Sequence, residues 1–143
     1  MTRPREVLLV DDDPAVARLT REALRDVSCP PWVHTVPDGV AALAFLRRAG
    51  PYADAPRPDV VLLDLHMPRK GGHEVLAEMK ADPALRRIPV VVLSTSNDER
   101  DVLAAYDRQA NCYVVKAGDF DRFCADMEAF ASFWLSGATL PPW

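Results

Sequence analysis

Four short runs of consecutive apolar residues stand out along the chain, and each is rich in Val or Leu. Apolar residues on consecutive rather than alternate positions are typical of strands buried on both faces, and such strands belong to parallel sheets covered by helices. A fifth segment, residues 32–36, alternates more and predicts an edge strand. The four runs cover residues 7–10, 60–63, 90–93 and 113–115.

Segments with helical spacing follow each predicted strand. Pro14 opens the first, since proline is favoured in a first turn, and Asp38 can cap the second. We predict further helices over residues 72–81, 98–108 and 119–135, a proline-bearing loop over 51–58, and a non-helical tail from 137. The residues expected to face inward in the first three helices are Val16, Leu19, Ala23 and Val27, then Val40, Leu43, Phe45 and Leu46, then Val75, Leu76 and Met79.

The order is therefore five repeats of a strand and a helix. Right-handed crossovers with helices on both faces make a doubly wound α/β sandwich the expected fold. Composition agrees, because 143 residues with 49% hydrophobic and 27% charged residues suit one globular domain. We assign residues 1–135 to this domain and 136–143 to a C-terminal tail.

The charge and the cysteine content of the chain limit the classes of partner and the cellular compartment that we expect. The net charge of −4, without a cluster of cations, argues against nucleic acid or an anionic membrane as a partner. No segment has the length of a signal peptide core or a membrane span. The three cysteines lack the spacing of metal ligands. We expect them to be reduced and mostly buried thiols, which predicts a cytoplasmic protein.

Polar residues follow the central strands at the points where they end. In such sheets, ligands bind beyond the carboxyl ends of the strands, so these side chains should converge at one rim. Lys116 is notable because the chain holds fourteen Arg and only three Lys, and a compact point charge suits this position. The converging residues are Asp11, Asp12 and Asp13, then Asp64, then Ser94 and Thr95, then Lys116.

These residue types predict phosphoryl transfer to a carboxylate. Closely packed carboxylates repel unless a cation joins them, and Mg²⁺ suits oxygen ligands in a site that keeps waters and admits phosphate oxygens. The ion screens negative charge as the phosphoryl group arrives at a nucleophilic carboxylate. A lysine and a hydroxyl complete the list, because phosphoryl transfer depends mainly on positioning and electrostatics.

The same residues resemble the receiver domains of two-component response regulators. The matching pieces are LLVDDDP (8–14), LLDLHMPRKGGHEVL (62–76), PVVVLSTS (89–96) and YVVK (113–116). The resemblance covers residues 6 to about 135 and implies a CheY-like, flavodoxin-like (βα)5 sandwich with a parallel sheet in the order 2-1-3-4-5. It also implies phosphorylation by a histidine kinase and signalling through the face formed by the fourth helix, fifth strand and fifth helix.

Carried over position by position, the resemblance implies a role for each residue. Asp64 is the phosphoacceptor; Mg²⁺ is bound by Asp64, directly by Asp12, through water by Asp11, and by the backbone carbonyl of His66. Ser94 is the switch hydroxyl and Lys116 pairs with phosphoryl oxygens. Tyr113 matches an aromatic residue whose rotamer reports the switch, and Asp13 is expected only to cap a helix.

One residue departs from the family pattern. Receivers usually have a cis proline after the lysine, whereas this chain has Ala117. The peptide is then either a strained cis bond or a trans bond in a different loop. The STSN segment, the missing proline and the ending FWLSGATLP resemble small regulators that partner phytochrome-type histidine kinases, which makes a bacteriophytochrome the expected partner.

Several alternatives stay open at this point. Thr95 competes with Ser94 as the switch hydroxyl, and Tyr113 is equally well explained by ordinary packing. The histidines are given no catalytic role. One rival function is a phosphatase with its nucleophile in Asp11–Asp13, and the other is an inactive receiver that only binds partners.

The final helix carries aromatic residues on more than one face. Exposed aromatic patches mark interfaces, so we expect a homodimer through this helix and the tail. The alternative is a core helix with a tail folded back on its own domain. The residues concerned are Phe120, Phe123, Phe130, Phe133, Trp134 and Trp143.

Overall fold

A computed structural model describes residues 3–142 of the chain. Five parallel strands form one sheet in the order β2-β1-β3-β4-β5, as predicted. The weakly patterned segment at 32–36 is an edge strand, and the four apolar runs are the remaining strands. The strands are β1 (Glu6–Val10), β2 (Trp32–Val36), β3 (Val60–Leu63), β4 (Val90–Ser94) and β5 (Cys112–Val115).

Five α-helices alternate with the strands, and their ends follow from local sequence. Asp13 and Asp38 accept hydrogen bonds from backbone N–H groups of the helices that they precede, and Pro14 is the first residue of α1. A 3₁₀ turn, Gly50–Tyr52, lies at the start of the predicted proline-bearing loop. The helices are α1 (Pro14–Arg25), α2 (Gly39–Leu46), α3 (Gly72–Ala81), α4 (Glu99–Asp107) and α5 (Phe120–Phe130).

The helices cover both faces of the sheet and enclose two apolar cores. One core joins alternate residues of the strands to α2 and α3, and the other joins the opposite residues to α1 and α5. The inward residues predicted for α3 are buried. Those predicted for α1 are partly wrong, because Leu19 is 44% exposed whereas Ala17, Thr20 and Leu24 are buried. The outward position of Val40 in α2 is a second such error.

The last helix changes character before it ends. After Phe130 it continues as a π-helical segment, Ala131–Gly137, so the helical part extends two residues beyond the predicted end. The guanidinium of Arg5 donates to the backbone carbonyls of Trp134, at 2.5 Å, and Ala138, at 2.8 Å. The first part of the tail is therefore tied to the residue that precedes β1. Trp143 lies outside the described residues.

Three further expectations have definite outcomes. Within residues 3–142 all peptide bonds are trans, including the one before Ala117. The three cysteines are free, but the prediction that they are mostly buried was wrong, because Cys29 is exposed and the other two are half-buried. No helix in the described part of the chain is long and apolar enough to cross a membrane.

Candidate phosphorylation and metal site

The ends of β1 and β3 place three aspartates at one rim of the sheet. The backbone N–H of Asp64 donates to the carbonyl of Val10 at 3.0 Å, so hydrogen bonding between β1 and β3 continues to this residue. The N–H of Asp11 donates likewise to Val36 of β2 at 3.1 Å. Both residues are thus fixed by the sheet itself, because each strand stops at the residue before its acid.

The three carboxylates are close enough to share one cation. One oxygen from each of Asp11, Asp12 and Asp64 can be chosen so that all three lie within 4.8 Å of one another. Asp11 is buried, Asp64 is half-buried and Asp12 is exposed, so the cluster opens to solvent on one side. An all-oxygen set with room for waters fits Mg²⁺.

Burial raises the pKa of the Asp64 carboxyl above its ordinary value of 3.8. The Lys116 ammonium opposes this rise, Asp11 and, more weakly, Asp12 add to it, and a hydrogen bond from the backbone N–H of His66 lowers the pKa. Without a cation, the site therefore disfavours the ionised form of Asp64. A divalent ion at the cluster would restore that form.

Lys116 reaches the same cluster from β5. Its backbone N–H donates to the carbonyl of Ser94 at 2.7 Å, and its Nζ donates to Oδ2 of Asp11 at 2.9 Å. Both side chains of this ion pair are nearly inaccessible, with 10% and 2% of their surfaces exposed. The ammonium is therefore held beside the acids, and the alanine that follows it does not displace it from the site.

Ser94 and Thr95 have very different surroundings. Ser94 is completely buried at the end of β4, and its Oγ accepts a hydrogen bond from the N–H of Ser96 at 3.2 Å. Thr95 is exposed. The hydroxyl of Tyr113 donates to the carbonyl of Ser96 at 2.8 Å, so this side chain is directed at the loop that follows the serine.

The side chain of Asp13 caps a helix and does not belong to the carboxylate cluster. Its Oδ1 accepts from the N–H groups of Ala15 and Val16, at 3.0 and 3.3 Å, and so caps α1 as expected. The pair of acids that a first-strand phosphatase would need is thus divided between a helix cap and the cluster. Asp64, which that rival left unexplained, completes the cluster instead.

A network beside the cluster was missed by the sequence reasoning. Asp101 in α4 accepts from the hydroxyl of Ser96 at 2.6 Å. The same carboxylate lies 3.3 Å from Nε2 of His66 and 3.7 Å from Nε2 of His73. No periodicity signals such a network, since its members come from the separate segments that follow β3 and β4 and each alone resembles an ordinary loop or helix residue.

A doubly wound five-stranded sheet with an acidic cluster and a lysine at its carboxyl rim defines the class of phosphoacceptor switch domains. The family model for the response regulator receiver domain matches residues 7–128. The chain belongs to this family. It is a response regulator receiver domain with a Mg²⁺ site at its aspartate cluster.

Several relatives match nearly the whole chain. Response regulator Rcp1 of Synechocystis is 45% identical over 138 residues, which cover 96% of this chain and 94% of Rcp1. The phosphorylated cyanobacterial phytochrome response regulator RcpA superposes with a TM-score of 0.93 at 48% identity, covering 98% of this chain and 100% of that one. The Mn²⁺-bound form of Rcp1 superposes with a TM-score of 0.91 at 45% identity, covering 97% of this chain and 100% of that one.

Proposed function

We propose that Asp64 accepts a phosphoryl group from a histidine kinase and that the domain catalyses this transfer to itself, without acting as a turnover enzyme. A carboxylate oxygen of Asp64 attacks phosphorus, and the donor nitrogen leaves with the bonding electrons. The bound Mg²⁺ would supply the positive charge that screens the incoming phosphoryl oxygens. The observation that carries the proposal is the convergence of the carboxylates of Asp11, Asp12 and Asp64.

The remaining residues would each perform one task. Asp12 offers a direct metal ligand and Asp11 a water-mediated one, while the carbonyl of His66 completes the set. Lys116 exchanges its ion pair with Asp11 for the phosphoryl oxygens. Ser94 donates its hydroxyl to the same group, and the loop that follows it moves accordingly.

Labelling with acetyl phosphate in the presence of Mg²⁺ tests the assignment. Asp64→Asn should abolish labelling, because the amide oxygen is a poor nucleophile. Asp13→Asn is a matched control, since asparagine also caps helices well and the residue lies outside the cluster. Labelling that persists in Asp64→Asn, or that is lost equally in both variants, would contradict the assignment.

The donor is proposed to be a phytochrome-type histidine kinase. Support comes from RcpA and from the bacteriophytochrome response regulator AtBRR, which superposes with a TM-score of 0.76 at 37% identity, covering 99% of this chain and 100% of that one. Phosphotransfer from a purified bacteriophytochrome kinase should be faster than from an unrelated histidine kinase. Equal rates with both kinases would refute this choice of partner.

The output face is proposed to be the surface of α4, β5 and α5. Leu103 and Tyr106 of α4 are 62% and 48% exposed, and Val115 of β5 is 41% exposed. This apolar surface adjoins the loop that contains Ser96, so a movement of that loop would alter it. Association with a downstream protein, or onward transfer of the phosphoryl group, would carry the signal.

A second copy of the chain is the proposed occupant of the neighbouring surface along the edge of β5. A cleft of about 400 Å³ lies there between β5 and the last helix. Phe133 borders the cleft, is 58% exposed, and meets Trp134 edge to face with ring centroids 5.0 Å apart. A two-fold contact would cover this aromatic pair in both copies.

Sedimentation velocity tests the dimer. Phe133→Ser should shift the protein towards monomer. Val40→Ser removes an apolar side chain of similar exposure, 52% against 58%, from α2 on the opposite face of the sheet and should leave the distribution unchanged. A wild-type protein that remains monomeric at high concentration, with or without beryllofluoride, would refute the proposal.

A further inference from the structure

Ser96 is the point at which the two switch residues meet. Its N–H donates to Oγ of Ser94 at 3.2 Å, and its carbonyl accepts from the hydroxyl of Tyr113 at 2.8 Å. Both bonds depend on where the backbone of Ser96 lies. Whatever fixes this residue therefore fixes the orientation of the buried serine hydroxyl and of the tyrosine together.

Asp101 fixes Ser96 through its side chain. The Ser96 hydroxyl donates to Oδ2 of Asp101 at 2.6 Å, which is short for such a bond and in the range of a charge-assisted one. The hydroxyl also accepts from the N–H of Asp98 at 3.2 Å, so Ser96 is bound to the first turn of α4 and to the residue before it. The bond to Ser96 is the main reason that the pKa of Asp101 lies below its ordinary range.

The same carboxylate also reaches the loop of the phosphoacceptor. Oδ2 of Asp101 lies 3.3 Å from Nε2 of His66, two residues after Asp64, and Oδ1 lies 3.7 Å from Nε2 of His73 at the start of α3. One side chain of α4 thus contacts the segments that follow β3 and β4. These are the two segments that carry the acceptor and the switch hydroxyl.

We infer that Asp101 is a positioning residue for phosphorylation, which holds Ser96 in the place where Ser94 and Tyr113 are both oriented for the switch. It touches neither the phosphoryl group nor the metal and acts through Ser96. Because Asp101 belongs to α4, it also makes that helix follow the loop, which connects the site to the proposed output face. This inference rests on the proposed function and deepens it.

The alternative explanation is that Asp101 acts only as an acid in the first turn of a helix, where negative charge is favourable because of the helix dipole. The chain supplies a matched control for it. Glu99 is an exposed acid in the same turn, so Glu99→Gln removes the same charge from the same helix end. A dipole effect would be similar in both variants, whereas positioning would require Asp101 alone.

The experiment measures the affinity for beryllofluoride in saturating Mg²⁺. Asp101→Ala and Ser96→Ala remove the same hydrogen bond from opposite sides, and each should weaken binding by about 3- to 10-fold. The double variant should lose less than the two single losses combined, because the Ser96–Asp101 bond is counted in both of them. Asp101→Asn keeps an acceptor for the hydroxyl and should fall between wild type and Asp101→Ala. Glu99→Gln should match wild type. The Mg²⁺ affinity measured without beryllofluoride should stay unchanged in Ser96→Ala, which keeps the contact between Asp101 and His66.

Two outcomes would overturn the inference. Binding to Asp101→Ala that equals or exceeds wild-type binding would show that the bond does not support the switch arrangement. An equal loss in Glu99→Gln would assign the effect to the helix end. Failure of wild type to bind beryllofluoride, or undiminished binding by Asp64→Asn, would instead refute the proposed function. Tyr113→Phe supplies a further check, because the effect of Asp101→Ala should shrink in that background if it acts through Ser96.

Discussion

Gly72 packs against the backbone of the phosphoacceptor so closely that a single methyl group should disturb both stability and the site. A Cβ at this position would lie 2.3 Å from the carbonyl oxygen of Asp64 and 2.8 Å from Cα of Leu65. Ordinary van der Waals contacts to a Cβ begin at 3.4 Å, so the backbone would have to separate by about 1 Å. Since neither contact involves a flexible side chain, α3 or the acceptor loop must move.

The magnitude follows from two opposing effects of Gly72→Ala. Overpacking a close contact lowers the free energy of unfolding by about 1–3 kcal/mol. Alanine in place of glycine within a helix recovers about 0.5–1 kcal/mol, because the unfolded chain loses less freedom on folding. Both close contacts are with backbone atoms, so the overpacking cost lies in the upper half of its range, and we expect a net loss of about 1–2.5 kcal/mol.

Urea unfolding measures this loss. With a slope of about 2 kcal/mol per molar urea, the midpoint should fall by roughly 0.5–1.2 M. Gly118→Ala is the matched control, because a methyl group there would meet no atom within 4 Å beyond its chain neighbours, and its stability should stay within about 0.5 kcal/mol of wild type. A Gly72→Ala protein that is as stable as the control, or more stable, would refute the close packing of α3 on the acceptor.

Three further predictions concern the acid cluster, the tail and the α2 cap. Because burial raises the pKa of Asp64, its ionised form destabilises the metal-free fold above the folded-state pKa, and this penalty fades as the pH falls towards 3.8 and below. In EDTA at pH 7, Asp64→Asn should therefore melt at a higher temperature than wild type, and the difference between the two melting temperatures should be smaller at pH 4. Added Mg²⁺ should stabilise wild type more than it stabilises the variant. A variant that melts at a lower temperature than wild type in EDTA at pH 7 would contradict this sign. Arg5→Ala removes two bonds to the end of the last helix and should lower stability by about 1–3 kcal/mol in urea unfolding, with partial recovery in Arg5→Lys; no change would show that the tail is not held by this residue. Asp38→Ala removes the α2 cap and the 2.6 Å bond from Arg69, so its unfolding free energy should fall by about 1–3 kcal/mol and Asp38→Asn should recover the part due to the cap; equal losses in both would refute this division.

The fold was predictable because its strongest signals are local. Buried parallel strands carry apolar residues on every position, so the runs that end at Val10, Leu63 and Leu93 identify the centre of the sheet without any tertiary information. The polar residues that follow these strands then locate the rim. The acid cluster and Lys116 were found in this way, since strand ends fix them in space.

The errors arise where position depends on neighbouring elements. Leu19 has the right spacing for the inward face of α1, but α1 packs with its Ala17 and Thr20 side inward, next to α5. Thr20 can be buried because its hydroxyl donates to the carbonyl of Val16 at 2.9 Å. The network of Asp101 was invisible for a similar reason, because it exists only once α3 and α4 are side by side.

The π-helical segment at the end of the chain makes the tail sensitive to length rather than to composition. A π turn accommodates one more residue than an α turn, so a chain shortened by a single residue between 131 and 137 could continue as a regular α-helix. The carbonyls of Trp134 and Ala138 would then no longer both point at Arg5, and the aromatic pair beside them would rotate away from the edge of β5. Homologues that are one residue shorter or longer here should consequently present a different surface at this edge, even where all the other side chains are identical.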